Sequence, residues 1–156
     1  MTDHSESYCI VIINDQRYGI PLKDVQRVIR AVQITALPEG PENIQGIINV
    51  RGQVIPVLNI RKMFHLEEKD ISIDDRIILF QSKIPVCFIV DSVEGIATFT
   101  DSQFQQSTEI HPLLDQYVLG VATYNLKNII LIDLNHFINE QELSLIEETN
   151  SNNSLG

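Results

Sequence analysis

Apolar runs rich in Val, Ile, Phe and Tyr recur along the chain, each bounded by Gly, Asn, Asp or Pro. Runs of this length and composition favour strands over helices. The pattern predicts strands near 8–14, 17–22, 46–51, 53–60, 76–82, 84–90, 93–99, 118–124 and 128–134. Tight connections at "NDQR", "NVRGQ", "QSKI" and "YNLKN" supply Gly and Asn, which tolerate positive φ. The plan is antiparallel and mainly β. Two segments carry helical spacing instead. In "PLKDVQRVIRAV", Val25, Val28, Ile29 and Val32 fall at i, i+3, i+4 and i+7, with Lys23, Arg27 and Arg30 on a second face, which predicts an amphipathic helix with a basic side. In "INEQELSLIEE", Asn139 can cap and Glu142 stands three residues on, which predicts a C-terminal helix.

The strand pattern repeats. Residues 10–28 align at an offset of 68 with residues 78–96, so that Ile20 meets Phe88, Val25 meets Val93 and Val28 meets Ile96. Gly46–Ile60 aligns at an offset of 74 with Gly120–Leu134. The extra residues lie within 97–119, which read as a polar loop with a short helical turn. A duplicated unit of strand, strand, connection and hairpin is too small to bury much alone, so two small barrels joined through one core are expected. Residues 1–7 and 149–156 have little to bury and are expected to be loose flanks of a single domain spanning 8–148.

Within the repeated hairpin "GIINVRGQVIPVLNI", Arg51 and Gly52 sit at the tip between two apolar strands. The second copy, "GVATYNLKNIILIDL", has Asn125 and Leu126 there. The flanks repeat and the arginine does not, which separates what the fold needs from a candidate recognition element. As an alternative, Arg51 pairs with a surface acid for less than about 1 kcal/mol.

The 156 residues hold 11 Lys and Arg against 21 Asp and Glu, a formal net charge of −10. Such a chain repels a phosphate backbone, so nucleic acid is not expected as a partner. The charge is uneven: residues 1–62 carry seven basic and six acidic groups, the remainder four and fifteen. No apolar run reaches the roughly 18 residues of a membrane span, so no direct membrane insertion is expected, and a cytoplasmic protein is. Cys9 and Cys87 lie inside apolar runs and read as small buried hydrophobes rather than a disulfide.

Chemistry is sparse. His4, His65, His111 and His136 are not spaced as metal ligands, and no metal or cofactor is expected. No nucleophile elbow, Walker loop or dinucleotide fingerprint occurs. Asp91 with Glu94 and Asp74 with Asp75 are the close acidic pairs, read as turn and strand-end solvation. A binding module is expected, not an enzyme.

"YGIPLKDVQRV" followed by "LPEGPENIQGIINVRGQVIPVLNIR" resembles the signature of the CheW-like domain, the adaptor module of bacterial chemosensory arrays. "CFIVDSVEGI" and "YVLGVATYNLKNIILIDLN" extend the resemblance over about residues 8–147. The resemblance implies two SH3-like five-stranded barrels sharing a core, with a short helix after the second strand and a C-terminal helix. It implies the free-standing form of the family rather than the CheV or CheA architectures. It also implies an adaptor, located at membrane-associated receptor arrays, that couples the cytoplasmic tip of a methyl-accepting chemoreceptor to the CheW-like domain of a CheA-type histidine kinase.

Carried over by position, the receptor-binding residues would be Leu22, Val25, Val28, Gly46, Arg51, Ile77 and Ile96, lining a groove between the lobes. Val25 and Val28 fit a core face equally well, and Ile77 and Ile96 read more as core. Arg27 stands where many relatives have an acid, and Asn59 where they commonly have Asp. Lys23, Arg27 and Arg30 are therefore candidate specificity charges, which would favour a more acidic receptor tip. Two other readings remain: an adaptor of a non-motility chemosensory system, or a small cleft-binding barrel or enzyme using Asp91, Glu94 or His111.

Overall fold

Three two-residue turns set the register of the hairpins. Their central residues all have positive φ: Asn14 and Asp15 at 54° and 67°, Arg51 and Gly52 at 52° and 86°, and Asn125 and Leu126 at 51° and 63°. Two consecutive left-handed residues twist with the flanking strands, as a type I′ turn does. The computed structural model describes residues 5–37, 43–82, 84–106 and 118–135. In chain order these form β1 (Ser5–Ile13), β2 (Gln16–Pro21), β3 (Val25–Arg30), β4 (Ile44–Val50), β5 (Gln53–Leu58), the one-turn helix α1 (Ile60–Met63), β6 (Arg76–Phe80), β7 (Val86–Val90), β8 (Ser92–Thr100), β9 (Phe104–Gln106), β10 (Val118–Tyr124) and β11 (Lys127–Ile132).

The strands assemble into two sheets, β8-β1-β2-β11-β10-β9 and β3-β6-β7-β5-β4. The two sequence repeats, β1–β5 and β6–β11, are therefore not the two lobes. Each lobe takes its first two strands from one repeat and the remainder from the other. The exchange is joined by two equivalent parallel contacts, Leu131 beside Gly19 and Val57 beside Cys87. The repeat offset of 68 holds for the second and third strands. In the first strand it is 69, because Cys9 and Val11 pair with Ile20 and Tyr18 just as Ile78 and Phe80 pair with Phe88 and Val86. Between equivalent paired residues the β6–β7 hairpin is one residue shorter, with Phe80 and Val86 six apart where Val11 and Tyr18 are seven apart, a slip the apolar pattern alone conceals.

Each sheet curls into a barrel that is closed by the continuation of its third strand. Thr35, beyond β3, exchanges two backbone hydrogen bonds of 2.9 Å with Ile47 of β4. Similarly, a 3₁₀ turn at Asp101–Gln103 leads β8 into β9, which pairs with β10. Three cores result. Tyr8, Ile10, Phe99 and Leu131 fill one barrel, and Ile48, Ile55, Ile77 and Leu79 fill the other. Cys9, Val11, Ile13, Ile20, Ile78, Phe80 and Phe88 fill the space between the sheets. Strands β1 and β6 are thus buried on both faces, which is why they read as continuous apolar runs rather than alternating ones.

The helix expected over 21–32 is replaced by one 3₁₀ turn, Leu22–Asp24, followed by β3. The cause is a β-bulge: the register with β6 shifts between Val25 and Arg27. The inserted residue puts Val25 and Val28, three apart in sequence, on one face of β3, opposite Phe80 and Ile78 of β6, a spacing that imitates a helix. The β-branched content of the segment favours the strand once β6 is available to pair. A 3₁₀ turn does occur inside the region read as loop with a helical turn, accompanied by the unexpected β9. Strand β1 begins at Ser5, earlier than residue 8, and α1 occupies the end of the strand expected to reach residue 60. The expected C-terminal helix lies outside the described residues.

Leu126 at the β10–β11 tip is fully exposed in the left-handed region, where Gly52 stands in the other copy. A left-handed leucine costs about 1–2 kcal/mol, part of which glycine returns through its larger unfolded-state entropy. Leu126→Gly, which creates an Asn-Gly type I′ turn, is expected to stabilise the fold by about 0.5–1 kcal/mol. Urea unfolding checks this: a higher midpoint at unchanged slope is the expected result.

Candidate protein-docking site

The residues expected to bind a receptor separate into three environments. Ile77 is fully buried among Ile48, Ile55 and Leu79 in a barrel core, so it is core and not a groove wall. Gly46 is also buried: a side chain on it would meet the Thr35 carbonyl oxygen at 2.5 Å. Its role is to let the closing segment lie against β4. Leu22 and Val25 are half-buried against the core between the sheets. Val28, Ile96 and Arg51 remain exposed.

Val28 and Ile96 occupy equivalent positions, paired with Ile78 on β6 and Cys9 on β1. Each lobe thus presents one outward β-branched residue at the same place, with exposures of 37% and 64%. Near Ile96 stands the tip of a type I′ hairpin, whose equivalent in the first lobe is the β4–β5 tip. In the second lobe, Ile96, Tyr124, Asn125 and Lys127 border a cleft of about 200 Å³ beside the Arg17–Glu94 ion pair. Arg17 donates to both Glu94 oxygens at 2.8 and 2.7 Å, holding that carboxyl below its usual range. In the first lobe the tip is Arg51. Its turn is pinned by the Gly52 N–H, which donates to Asn49 Oδ1 at 2.9 Å.

The candidate specificity charges are not one face. β3 is a strand, so Arg27 and Arg30 point to opposite sides. Lys23 lies 3.8 Å from Glu6.

The carboxylates considered for catalysis are structural. Burial alone would push Asp91 up, but the Asn14 N–H at 2.8 Å, the Arg61 guanidinium and Lys69 outweigh it and hold the carboxyl low. Asp75, expected to be solvated, is buried and bonded through both oxygens to Lys69 Nζ at 3.0 Å. A general acid needs a raised pKa, the opposite of Asp91 and Glu94. His111 lies outside the described residues. Among those described, no group of three or more His, Cys, Asp or Glu is placed to hold a metal. Both cysteines are free and buried, and burial pushes the Cys87 thiol up to about 12.

Asn59 does not reach the surface in question. It caps α1, accepting the Lys62 N–H at 3.1 Å, and its amide donates to Glu68 at 2.9 Å. An aspartate would keep the cap but face Glu68 with a like charge. No helix among the described residues is long and apolar enough to cross a membrane.

Comparison with known proteins agrees with this architecture. The chain is similar to a chemotaxis protein CheW of Klebsiella aerogenes, 25% identical over 146 residues, covering 91% of this chain and 87% of the relative. It is 30% identical over 132 residues to a probable chemotaxis protein CheW of Rhizobium etli, covering 83% and 85%. The crystal structure of the scaffolding protein TtCheW from Thermoanaerobacter tengcongensis superposes with a TM-score of 0.74 at 31% identity, covering 84% of this chain and 90% of that one. The model of the CheW-like domain matches residues 7–142. With strand exchange, barrel closure and sequence in agreement, the chain belongs to the CheW-like domain family.

Proposed function

We propose that this protein couples the cytoplasmic tip of a methyl-accepting chemoreceptor to a CheA-type histidine kinase. Family membership makes it a chemotaxis adaptor scaffold and not an enzyme. The observation that carries the receptor reading is the exposure of Val28 and Ile96 at equivalent positions of the two lobes. Leu22 and Val25 lie partly buried behind the first of these, and Arg51 stands at the neighbouring tip. A helical hairpin docks by laying an apolar stripe on such residues, with a polar group at the edge fixing register. Arg51 suits the edge because a guanidinium can bond a carboxylate or helix-end carbonyls through two donors.

Kinase binding uses the remaining surface: a barrel lobe contacts the opposite lobe of the kinase's own CheW-like domain, a heterologous association that can close into rings. The protein acts in the cytoplasm at membrane-associated receptor arrays.

Arg51→Glu tests the reading. Being exposed at a hairpin tip, Arg51 can be replaced with less than about 0.5 kcal/mol change in stability. In co-sedimentation with receptor-bearing membranes, recruitment is expected to fall about tenfold, the size of one lost charge pair. Binding to the kinase's CheW-like domain should persist. Undiminished recruitment of the folded variant removes Arg51 from the site.

A further inference from the structure

The mouths of the two barrels are built from equivalent residues but filled differently. In the first lobe the connection into β6 supplies the filling. Its Ile71 packs against the core of Ile48, Ile55 and Ile77, while Lys69 Nζ bonds both oxygens of buried Asp75 at 3.0 Å and lies 3.6 Å from Asp91. An ammonium and an aliphatic side chain, two residues apart, thus stop that opening.

The repeat offsets carry these positions into the second lobe. Asp75 falls on Glu6 and Ile77 on Tyr8 at an offset of 69, Asp91 on Lys23 at 68, and Gln45, which shares a small pocket with Lys69 and Ile71, on Leu119 at 74. Glu6, Tyr8, Lys23 and Leu119 there line one cleft of about 400 Å³, a volume within the range of ligand sites. The floor is apolar: the Tyr8 and Phe99 rings are buried with centroids 5.9 Å apart, and Phe104 and Leu119 are half-buried beside them. At the rim the Tyr8 hydroxyl donates to Glu6 at 3.3 Å, and Lys23 stands 3.8 Å from Glu6 with both side chains exposed, a weak pair. Asp101 adds a second carboxylate. Among the described residues, every group lining the cleft belongs to the barrel's own strands or 3₁₀ turns, and no connecting segment takes the part of Lys69 and Ile71.

We infer that the second-lobe cleft binds an extended segment of a partner protein that carries Lys or Arg two residues before Ile, Leu or Val, the chemistry that Lys69 and Ile71 supply in the first lobe. The aliphatic side chain enters among Phe99, Phe104 and Leu119, and the cation lies over Glu6 and Asp101. Two carboxylates against one ammonium at the rim set the sign of the occupant. The same excess disfavours the chain's own residues 136–156, which hold four glutamates and no Lys or Arg. The cleft shares no residue with the surface of Val28, Ile96 and Arg51, so the inference stands apart from the receptor reading.

Nuclear magnetic resonance titration of the full chain tests this with three blocked peptides of sequence AKAIA, AQAIA and AKAAA, each raised to millimolar concentration. AKAIA is expected to shift the amide signals of Tyr8, Phe99, Thr100 and Leu119 saturably. Removing the isoleucine side chain should weaken binding about tenfold, since its burial supplies most of the attraction. Removing the charge should weaken it about threefold, the worth of an exposed ion pair. The variant Glu6→Gln/Asp101→Asn, altered only at exposed side chains and checked by thermal unfolding, should bind AKAIA and AQAIA alike. No saturable shift, shifts centred away from these four residues, or equal binding of all three peptides overturns the inference. The offset of 74 carries Lys69 and Ile71 to Leu143 and Leu145, so the chain's own C-terminal residues are the rival occupant. A full-length Leu143→Ser/Leu145→Ser chain that binds AKAIA far more tightly than wild type shows that they fill the cleft, which also overturns it; unchanged binding supports a partner segment.

Discussion

Gly120→Val is expected to yield no folded protein, and Gly120→Ala to lose about 3 kcal/mol or more, placing it in the diagnostic tail of point substitutions. A Cβ at this position would overlap the Gln105 carbonyl oxygen and the ring of Phe104. Neither can withdraw freely, because Gln105 and Phe104 belong to β9, whose pairing with Val121 and Ala122 closes the barrel. Against a typical total of about 5–15 kcal/mol, opening one barrel removes a large share of the stability. Gly46 is the equivalent residue and is covered by Thr35, so Gly46→Ala should behave alike but less severely, since a single bridge and not a three-residue strand must give way. Far-ultraviolet dichroism and urea unfolding of the purified variants decide the matter; a Gly120→Ala protein with the wild-type midpoint would refute the close approach.

Asp91→Asn is expected to cost about 2–3 kcal/mol at neutral pH, the range for charged hydrogen bonds whose partner is left behind in a largely buried site. Arg61, with a side chain only 12% exposed, would keep its charge and lose its carboxylate, with Lys69 nearby as a second cation. The loss should also be pH-dependent. Asp91 titrates lower in the folded protein than an ordinary aspartate, whose pKa is about 3.9. Its contribution is therefore complete above that value and disappears as pH falls through the folded-state pKa. Asp24 has the opposite sign: burial raises its carboxyl despite the hydrogen bond from Asn135, so its contribution is present in acid and is lost as pH rises through the folded value. The difference between wild type and Asp91→Asn isolates the first effect. A gap in unfolding free energy that holds above about pH 4 and closes as pH falls below it, through the folded-state pKa of Asp91, is the expected outcome, and a constant gap would show that Asp91 carries no charge-dependent stability.

The duplication, the hairpins and most strands could be read from apolar runs and turn residues, because those features are local. The misread segment was β3. A bulge at Gln26 broke its two-residue period, and three valines and an isoleucine then fell at helical spacing. Pairing with β6, about fifty residues away in the average register, decided the outcome, and no local signal carries it. The exchange of strands between repeats was equally hidden, since an internal alignment shows which segments correspond but not which ones adjoin. At the docking surface, resemblance carried Ile77 and Gly46 along with Val28 and Ile96. Only burial separates them. Arg51 was singled out because it does not repeat, and its left-handed, exposed position agrees with a residue that folding did not require.

The exchange of strands between repeats has a consequence for synthesis and for engineering. When the first repeat leaves the ribosome, β1 and β2 lack β8 and β11, and β4 and β5 lack β7. The β3-β6-β7-β5-β4 sheet can be completed once β7 has emerged, whereas β1 and β2, made first, must wait for β8 and β11, so the lobe that starts the chain is the last to be finished. Cut between α1 and β6, the protein becomes two halves that each expose open sheet edges and must find one another. Such halves would serve as a conditional reassembly pair, silent apart and whole only when brought together.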